Sequence, residues 1–250
     1  MSWRVVAVSS NNAYSFSKPN RDRIVLVPGL GVQGDIHAGV RVRHRSRVAA
    51  DPDQPNLRQV HLIQTELFAE VATKGYDVPE GGLGENISTA GLDLLALPCG
   101  TVLRFGPPVA AESLVAGPFS ARGDGPGGEA GVTRDGGAAR DVVAAARRAT
   151  LDEATAPAVA VLAAVIDAEL ERDPADGRPA VVLTGLRNPC AQINNFRPGL
   201  LKEVLGRDRS GELVRRAGVM GVVLHGGEIR PGDPVTASVP ALPHRQLGRV

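Results

Sequence analysis

Aromatic residues are scarce in this 250-residue chain, and its positive and negative charges nearly balance. Phe, Trp and Tyr together make up 3% of the residues, so the core must be built from Val, Leu, Ile and Ala. The formal net charge is +1, without the basic excess that phosphate contacts normally require. This balance excludes a general nucleic-acid binder. It leaves room for a local basic pocket that holds one small phosphorylated ligand.

Targeting signals and long apolar runs are also missing. The start, MSWRVVAVSSNN, has no basic segment followed by an apolar core and a small-residue cleavage site. The Ala/Val-rich stretch Ala156–Ala168 is too short to span a bilayer. We therefore predict a soluble, cytoplasmic protein without a membrane partner. Only two cysteines are present, Cys99 and Cys190, and free thiols are expected in a reducing cytosol.

Short β-branched runs separated by Gly and Pro predict a mainly β fold with peripheral helices. Strands are predicted at Arg4–Val8, Ile24–Val27, Val60–Ile63, Thr101–Phe105, Ala180–Thr184, Gly218–Leu224 and Val235–Val239. Helices are predicted at Thr65–Lys74, Ala138–Arg148, Asp152–Arg172 and Gly199–Leu205. Thr65 is interpreted as a helix cap, and Thr150 with Glu153 as a capping box.

The strand pattern is interrupted between residues 109 and 178. The Gly-rich tract Gly117–Gly137 has little to bury and is expected to be a flexible loop, and two predicted helices follow it. We predict a single domain over residues 1–250, with residues 109–178 forming a Gly-rich and helical insertion.

Cys190 lies in TGLRNPC, directly after a predicted strand. Arg187 places a permanent cation near this thiol, and a nearby cation favours the thiolate, the form that attacks electrophiles or binds soft metals. A buried cysteine acting as a small hydrophobe is the other interpretation of Cys190. Cys99, flanked by nothing charged, is interpreted as structural.

The five histidines are scattered without paired spacing, so no zinc site is predicted. His37, in GDIHAG beside Asp35, resembles a site residue most closely; the alternative is a turn histidine bonded to backbone. The surrounding GLGVQGDIHAG lacks the Lys–Ser/Thr ending of a phosphate-binding P-loop. Its glycines are interpreted as allowing a tight turn or a close backbone approach to a ligand.

Two further segments carry polar side chains that suit a ligand. VRVRHRSRVA places four arginines in alternation, either on a solvated edge strand or as a phosphate clamp. GLGENIST offers Asn86 and Thr89 to a polar heterocycle, and the alternative is a loop whose side chains satisfy one another.

The ordered set of these segments resembles the MOSC family, named after the C-terminal domain of molybdenum cofactor sulfurases. The matching stretches are FSKP, GLGVQGDIHAG, HRSRVAADPDQPNLRQVHLIQTELF, LGENISTAGLDLLALPCGTVLRFG, TGLRNPC and RAGVMGVVLHGGEIRPGDPV. They cover roughly residues 3–106 and 180–239, in the family's order. Short family members join the two flanking strands almost directly, whereas this chain carries the insertion there.

The resemblance implies a β-barrel-like fold whose pocket receives the pyranopterin of the molybdenum cofactor. Cys190 matches the family's signature cysteine, a direct molybdenum ligand in better understood relatives. Asp35, His37, Asn86, Thr89, Arg187 and Asn188 are expected to line the pocket by the same resemblance. Lys18, Arg45 and Arg47 are predicted as phosphate and pterin contacts.

Several functions remain open at this point. In the first, a molybdoenzyme removes oxygen from a small-molecule substrate, an N-hydroxylated base or amine, with electrons from a separate reductase, because no flavin, haem or iron–sulfur motif is present. In the second, Cys190 carries sulfane sulfur from a sulfur donor as a persulfide. In the third, the protein delivers the cofactor without catalysis. A purely structural role for Cys190 is the fourth.

Overall fold

The computed structural model describes residues 3–43, 48–49, 51–108, 136–153, 155–171 and 176–250. Strands dominate this part of the chain. They are β1 (Arg4–Ser9), β2 (Asn20–Arg21), β3 (Ile24–Val27), β4 (Gly31–Val32), β5 (Val60–Gln64), β6 (Ile87–Ala90), β7 (Val102–Phe105), β8 (Ala180–Leu186), β9 (Leu205–Arg207), β10 (Leu213–Arg215), β11 (Val219–His225), β12 (Gly227–Ile229) and β13 (Val235–Ser238).

Short helices surround these strands. The α-helices are Glu66–Ala72, Arg140–Ala146, Ala156–Leu170, Gln192–Phe196 and Leu201–Val204, and 3-10 turns lie at Leu94–Ala96 and Gly136–Ala139. The mainly β fold with peripheral helices is thereby confirmed.

Eight strands form one sheet in the order β13-β7-β8-β11-β5-β6-β1-β2. Neighbouring strands are antiparallel except β5 and β6, which run parallel. At the centre, AVVLTGL of β8 and VMGVVLH of β11 are buried along almost their whole length. Such continuous apolar runs fit strands that are covered on both faces. The loop carrying Cys190 follows β8 directly, so this rigid centre positions it.

The large sheet curls until its two ends approach each other. Val5 of β1 donates its backbone N–H to Asp233 O at 2.8 Å, and Val235 of β13 donates to Trp3 O at 2.9 Å. A single bridge joins Arg4 and Pro234. These contacts do not extend into a ladder, and the described strands do not form a closed barrel.

The two helices of the insertion pack against the centre of the sheet. Val142, Leu162 and Ile166 are buried in the same apolar cluster as the residues of β8 and β11. Gly29 shows how close this packing is, because a Cβ placed there would lie 2.2 Å from the backbone oxygen of Ala138. The glycine after β3 therefore admits the backbone of the insertion.

Three local predictions are wrong. GENIST does not remain a loop, since Ile87–Ala90 forms β6, whose backbone pairs with both β1 and β5. Thr65 makes no side-chain capping bond. The helix predicted from Asp152 begins at Ala156 instead, and Asp152 accepts the backbone N–H of Thr155 at 2.8 Å, so Thr150 and Glu153 form no capping box at this helix.

The remaining strand predictions agree with the structure to within two residues at each end. The Gly-rich tract lies outside the described residues except for its last two glycines, which begin a 3-10 turn. No helix within the described ranges is long and apolar enough to cross a membrane.

Candidate cofactor-binding site

A cavity of about 820 Å³ opens beside the end of β8. This volume lies within the usual range of roughly 300–1,000 Å³ for small-molecule and cofactor sites. Among the residues predicted from the sequence, those that line it are Lys18, His37, Asn86, Arg187, Asn188 and Cys190. The structure therefore brings together side chains that lie far apart in the chain.

Cys190 is exposed on the wall of this cavity. Its Sγ lies 3.6 Å from Gln192 Oε1, and its carbonyl accepts the backbone N–H of Ile193 at 3.0 Å. Ile193 is fully buried and anchors the short helix Gln192–Phe196. The thiol is thus carried on a turn fixed at both ends, by β8 before it and by this helix after it.

Arg187, three residues before the cysteine, is buried although it carries a charge. Its backbone N–H is bonded to Gly218 O at 3.0 Å, and its guanidinium lies 5.7 Å from the centre of the Phe16 ring. Its Nη1 has no hydrogen-bond partner within the described part of the chain. Burial lowers the pKa of Arg187, while attraction to Cys190 and Glu85 opposes that shift. A buried donor without a partner is costly, so Nη1 is available to an anionic ligand.

Lys18 and Asp35 form a buried ion pair at the cavity, with Nζ and Oδ2 2.7 Å apart. Asn86 donates to the same carboxylate at 3.1 Å, and the His37 ring nitrogen lies 3.3 Å from its other oxygen. Burial alone would raise the pKa of Asp35, but hydrogen bonding from His37 and the charge of Lys18 hold it well below its ordinary value. Asp35 itself is not on the cavity wall; it holds three residues that are.

Many polar groups around Asn86 are hydrogen-bonded within the protein. Glu85, fully buried, accepts the backbone N–H of Leu83 at 3.0 Å, and Asn86 also donates to Ser9 O at 3.1 Å. Burial raises the pKa of Glu85. The polar side chains of GENIST therefore satisfy one another in part, and Asn86 also lies on the cavity wall.

Thr89 is not brought to the cavity wall, and the positions of two predicted arginines are not described. Thr89 is buried in β6 and is absent from the cavity wall. Arg45 and Arg47 lie outside the described residues. Arg41, from the same basic stretch, pairs with Asp53 at 3.0 Å in an exposed ion pair.

The structure adds site residues that sequence reasoning missed. His61 lies in β5, lines the cavity and is 5% exposed. Its Nε2 lies 2.7 Å from Ala217 O, which fixes that nitrogen as a donor. Burial and the charge of Arg187 hold the pKa of His61 well below its ordinary value, so the ring is neutral. Other missed lining residues are Phe16, Gln54, Arg58, Asp152, Gln192 and Arg249.

Some signal for the missed residues was present in the sequence. A polar ring inside the apolar run VHLI predicts either a satisfied core histidine or a site residue, and His61 is both. Asp152 and Arg249 had no such signal, because only the folded chain brings the insertion and the last residues of the sequence to the cavity.

Comparisons with known proteins give a shared fold. No protein-family model matches the chain, and no curated protein matches its sequence. The structure of YuaD from Bacillus subtilis, a MOSC-type protein, aligns with a TM-score of 0.56 at 17% identity, over 96% of this chain and 98% of that one. YiiM from Geobacillus stearothermophilus aligns with a TM-score of 0.48 at 11% identity, over 98% of this chain and 79% of that one.

At 17% identity, the likeness to YuaD shows the fold alone. It fits the MOSC resemblance of the motifs and shows neither a bound cofactor nor a reaction. Within the described ranges, no group of three or more His, Cys, Asp or Glu side chains is placed to hold a metal ion.

Proposed function

We propose that the cavity binds the molybdenum–pyranopterin cofactor, with Cys190 as the protein's ligand to the metal. The observation that carries the proposal is the buried Arg187, whose Nη1 has no partner in the described chain and which lies on the same cavity wall as the exposed thiol. An anionic group with its own sulfur ligands suits that pair. The MOSC resemblance and the fold shared with YuaD support it.

The donor set fits such a ligand in charge and in softness. Lys18, Arg58, Arg187 and Arg249 give the cavity wall four cationic side chains. Arginine and lysine bind phosphate oxygens, and arginine does so in a two-pronged geometry. Cys190 supplies a soft sulfur ligand, which transition metals with thiolate chemistry prefer. The cavity also has enough volume for a fused heterocycle.

Each residue would have a separate task. Arg187 would neutralise negative charge of the ligand close to Cys190, since both residues line the same cavity. Lys18 would bind an anionic group while Asp35 holds it in place. His61 is neutral and donates to Ala217 O through Nε2, so it adds no charge to the cavity.

The cofactor, when bound, would supply a redox-active metal able to remove oxygen from a small-molecule substrate. We propose N-hydroxylated bases or amines as that substrate, with electrons supplied by a separate reductase. The chain's own residues bind and orient; the redox chemistry belongs to the cofactor.

A second candidate function is a persulfide carrier, favoured by the exposure of Cys190. An accessible thiol beside a cation is what sulfur transfer from an external donor requires. The buried Arg187 donor and the size of the cavity have no part in that function. They favour the cofactor over the carrier, and equally admit a delivery protein that holds the cofactor without turnover.

The test is the molybdenum and pterin content of protein purified from cells that make the cofactor, for the native chain, Cys190→Ser and Cys99→Ser. Near-stoichiometric molybdenum with pterin in the native chain and in Cys99→Ser, lost in Cys190→Ser, is the expected result. Cys99 is the matched control because it is buried and its Sγ lies 3.4 Å from Thr184 O, away from the cavity wall. Absence of both metal and pterin from the native chain, with a persulfide trapped on Cys190, would establish the carrier instead.

A further inference from the structure

His61 is a buried polar ring on the cavity wall, and one of its two ring nitrogens has no task in the proposed function. The residue lies in β5 and is 5% exposed. Its backbone N–H donates to Asn86 Oδ1 at 3.2 Å, and its carbonyl accepts the Asn86 N–H at 2.8 Å. These bonds, together with the pairing of β5 and β11, fix the backbone from which the ring projects.

The ring is held through its other nitrogen. Nε2 lies 2.7 Å from Ala217 O, and a carbonyl oxygen can only accept, so Nε2 carries the proton of the ring. Gly218 makes this approach possible, because a Cβ there would lie 2.8 Å from Nε2. Burial and the charges of nearby cations lower the pKa of His61 and keep the ring neutral. Nδ1 is therefore unprotonated and carries a lone pair.

The lone pair of His61 Nδ1 is not used within the described part of the chain. There, the bond to Ala217 O is the one hydrogen bond that the ring makes. The buried side-chain atoms that lack a partner in the same residues do not include Nδ1, so this nitrogen is not sealed inside the protein. Since His61 lines the cavity, Nδ1 is a hydrogen-bond acceptor that a ligand in the cavity can reach.

The charged side chains that act on this ring can only donate hydrogen bonds. They are Arg187, Lys18 and Arg58, and all three lie on the same cavity wall. Asn188 adds a donor, because its Oδ1 accepts from Arg215 Nε at 3.2 Å and the amide group left to a ligand is Nδ2. An acceptor among these donors favours a ligand that combines an anionic part with an N–H group.

We infer that His61 Nδ1 accepts a hydrogen bond from an N–H group of the heterocycle bound in the cavity, and thereby selects which heterocycles bind. The inference rests on the proposed function, because a pterin and a purine or pyrimidine base both carry such N–H groups. A heterocycle with a lone pair or a methyl group at that point would leave Nδ1 without a partner and bind less tightly. His61 orients the ligand and takes no proton from it.

The test is ¹⁵N NMR of the full chain with labelled histidine, purified from cells that do not make the cofactor. His61 should show a protonated Nε2 and an unprotonated Nδ1 at pH 7. Pterin-6-carboxylate combines an anion with the N–H groups of a pterin. Its binding should shift the Nδ1 resonance of His61 towards that of a protonated nitrogen without reaching it. Benzoate, an anion without N–H groups, should leave that resonance unchanged.

His244 is the matched control in the same spectra. Its Nε2 also bonds a backbone oxygen, Pro240 O at 3.0 Å, but the residue does not line the cavity. Its Nδ1 resonance should not respond to either probe. His61→Leu should weaken the binding of pterin-6-carboxylate about tenfold, since a hydrogen bond in a buried site is lost. His61→Asn offers an oxygen acceptor near the position of Nδ1 and should restore part of the affinity, and His244→Leu should bind as the native chain does.

Four results would each overturn the inference. They are a native chain that does not bind pterin-6-carboxylate, binding that leaves the Nδ1 resonance of His61 in place, a free protein in which Nδ1 carries the proton, and a folded His61→Leu chain with native affinity. The first three are measured on the native chain, so the test stands even if His61→Leu fails to fold.

Cofactor content separates this inference from the proposed function. In a native chain loaded with molybdenum and pterin, an Nδ1 resonance that is already shifted assigns the N–H group to the cofactor. One that shifts only when adenine is added assigns it to a base substrate, and either result supports the inference. A response to pterin-6-carboxylate in a chain that never acquires molybdenum or pterin supports the role of His61 and refutes the cofactor. Native cofactor content with an Nδ1 resonance shifted by neither refutes only the inference about His61.

Discussion

Arg104 lies on β7 and Arg187 directly follows the neighbouring strand β8. Both arginines are buried, but they differ in whether a carboxylate neutralises their charge. Arg104, on β7, contacts the carboxylate of Glu169 from the insertion and lies 3.2 Å from that of Asp176. Arg187, at the end of β8, has no carboxylate in ion-pair contact among the described residues. Carboxylates neutralise the charge of Arg104, whereas none among the described residues contacts that of Arg187.

The two arginines differ in how the cost of burying their charge is offset. Burying an ion is expensive unless a partner of opposite charge lies close. Arg104 meets this condition through the insertion, so it fastens the helix Ala156–Leu170 to the sheet. Arg187 meets it only through the aromatic face of Phe16 and longer-range attraction to Cys190 and Glu85. We propose that a cation buried at such a cost is compensated by an anionic ligand.

Removing the partner of Arg104 should give the largest loss of stability. Glu169→Ala leaves a buried guanidinium that cannot lose its proton, and the expected loss in the free energy of unfolding is about 3 kcal/mol. Urea denaturation followed by circular dichroism measures it. Glu171→Ala, an exposed carboxylate at the end of the same helix, is the control and should change little. A loss below about 1 kcal/mol for Glu169→Ala would show that Asp176 alone suffices.

Asp35→Asn should have a smaller effect, about 2 kcal/mol, because the buried Lys18 can lose its proton where arginine cannot. The pKa of Asp35 is lowered from 3.8, so its contribution is fully present above that value and is lost as the pH falls through the folded-state pKa. The difference in free energy of unfolding between native and variant should therefore be constant from pH 7 to about 4 and shrink below. A difference that already shrinks between pH 7 and 5 would contradict this assignment.

Arg187→Met should leave stability within about 1 kcal/mol of the native value, because the lost attraction is offset by the removed cost of burying a charge. Cofactor content should fall at least about tenfold, since a charged hydrogen bond in a buried site is lost. Thermal unfolding and molybdenum analysis of the same preparation measure both. A destabilisation as large as that of Glu169→Ala, with normal cofactor content, would make Arg187 a structural residue.

The two cysteines should differ in reactivity with almost no change in stability. Burial raises the pKa of Cys99 to about 11, so its thiol stays protonated near pH 8, whereas Cys190 is exposed. Iodoacetamide should label the folded native chain once and the folded Cys190→Ser chain not at all. Cys190→Ser should change the free energy of unfolding by less than about 0.5 kcal/mol. Two labels on the folded native chain would contradict the burial of Cys99.

The sequence predicts the structure correctly where the residues of a segment themselves determine its conformation and burial. The apolar runs of β8 and β11 predict buried strands, and the loop after β8 was expected to present Cys190 beside Arg187. β6 was missed because ISTA has little apolar character of its own. Its strand state comes from pairing with β1 and β5, partners distant in the chain.

The candidate site was predictable in part for a similar reason. Lys18, His37 and Asn86 come from separate motifs, and the ordered set of motifs indicated that they meet. Thr89 is absent from the cavity wall because strand alternation turns its side chain away from the face on which Asn86 lies. Charge pairing across the fold, as between Asp152 and Arg249, leaves no trace in local sequence.

The contact between Gly29 and Ala138 also constrains which residues position 29 can carry. A side chain at position 29 would collide with the backbone of the insertion, and the φ of +67° there already disfavours other residues. The helices of the insertion can therefore pack on this sheet in their present position only while position 29 lacks a Cβ. Among homologues, chains that carry the docked helices should keep glycine at position 29, and chains without them are released from that demand. Position 29 and the insertion thus constrain each other's sequence, although they lie far apart in the chain.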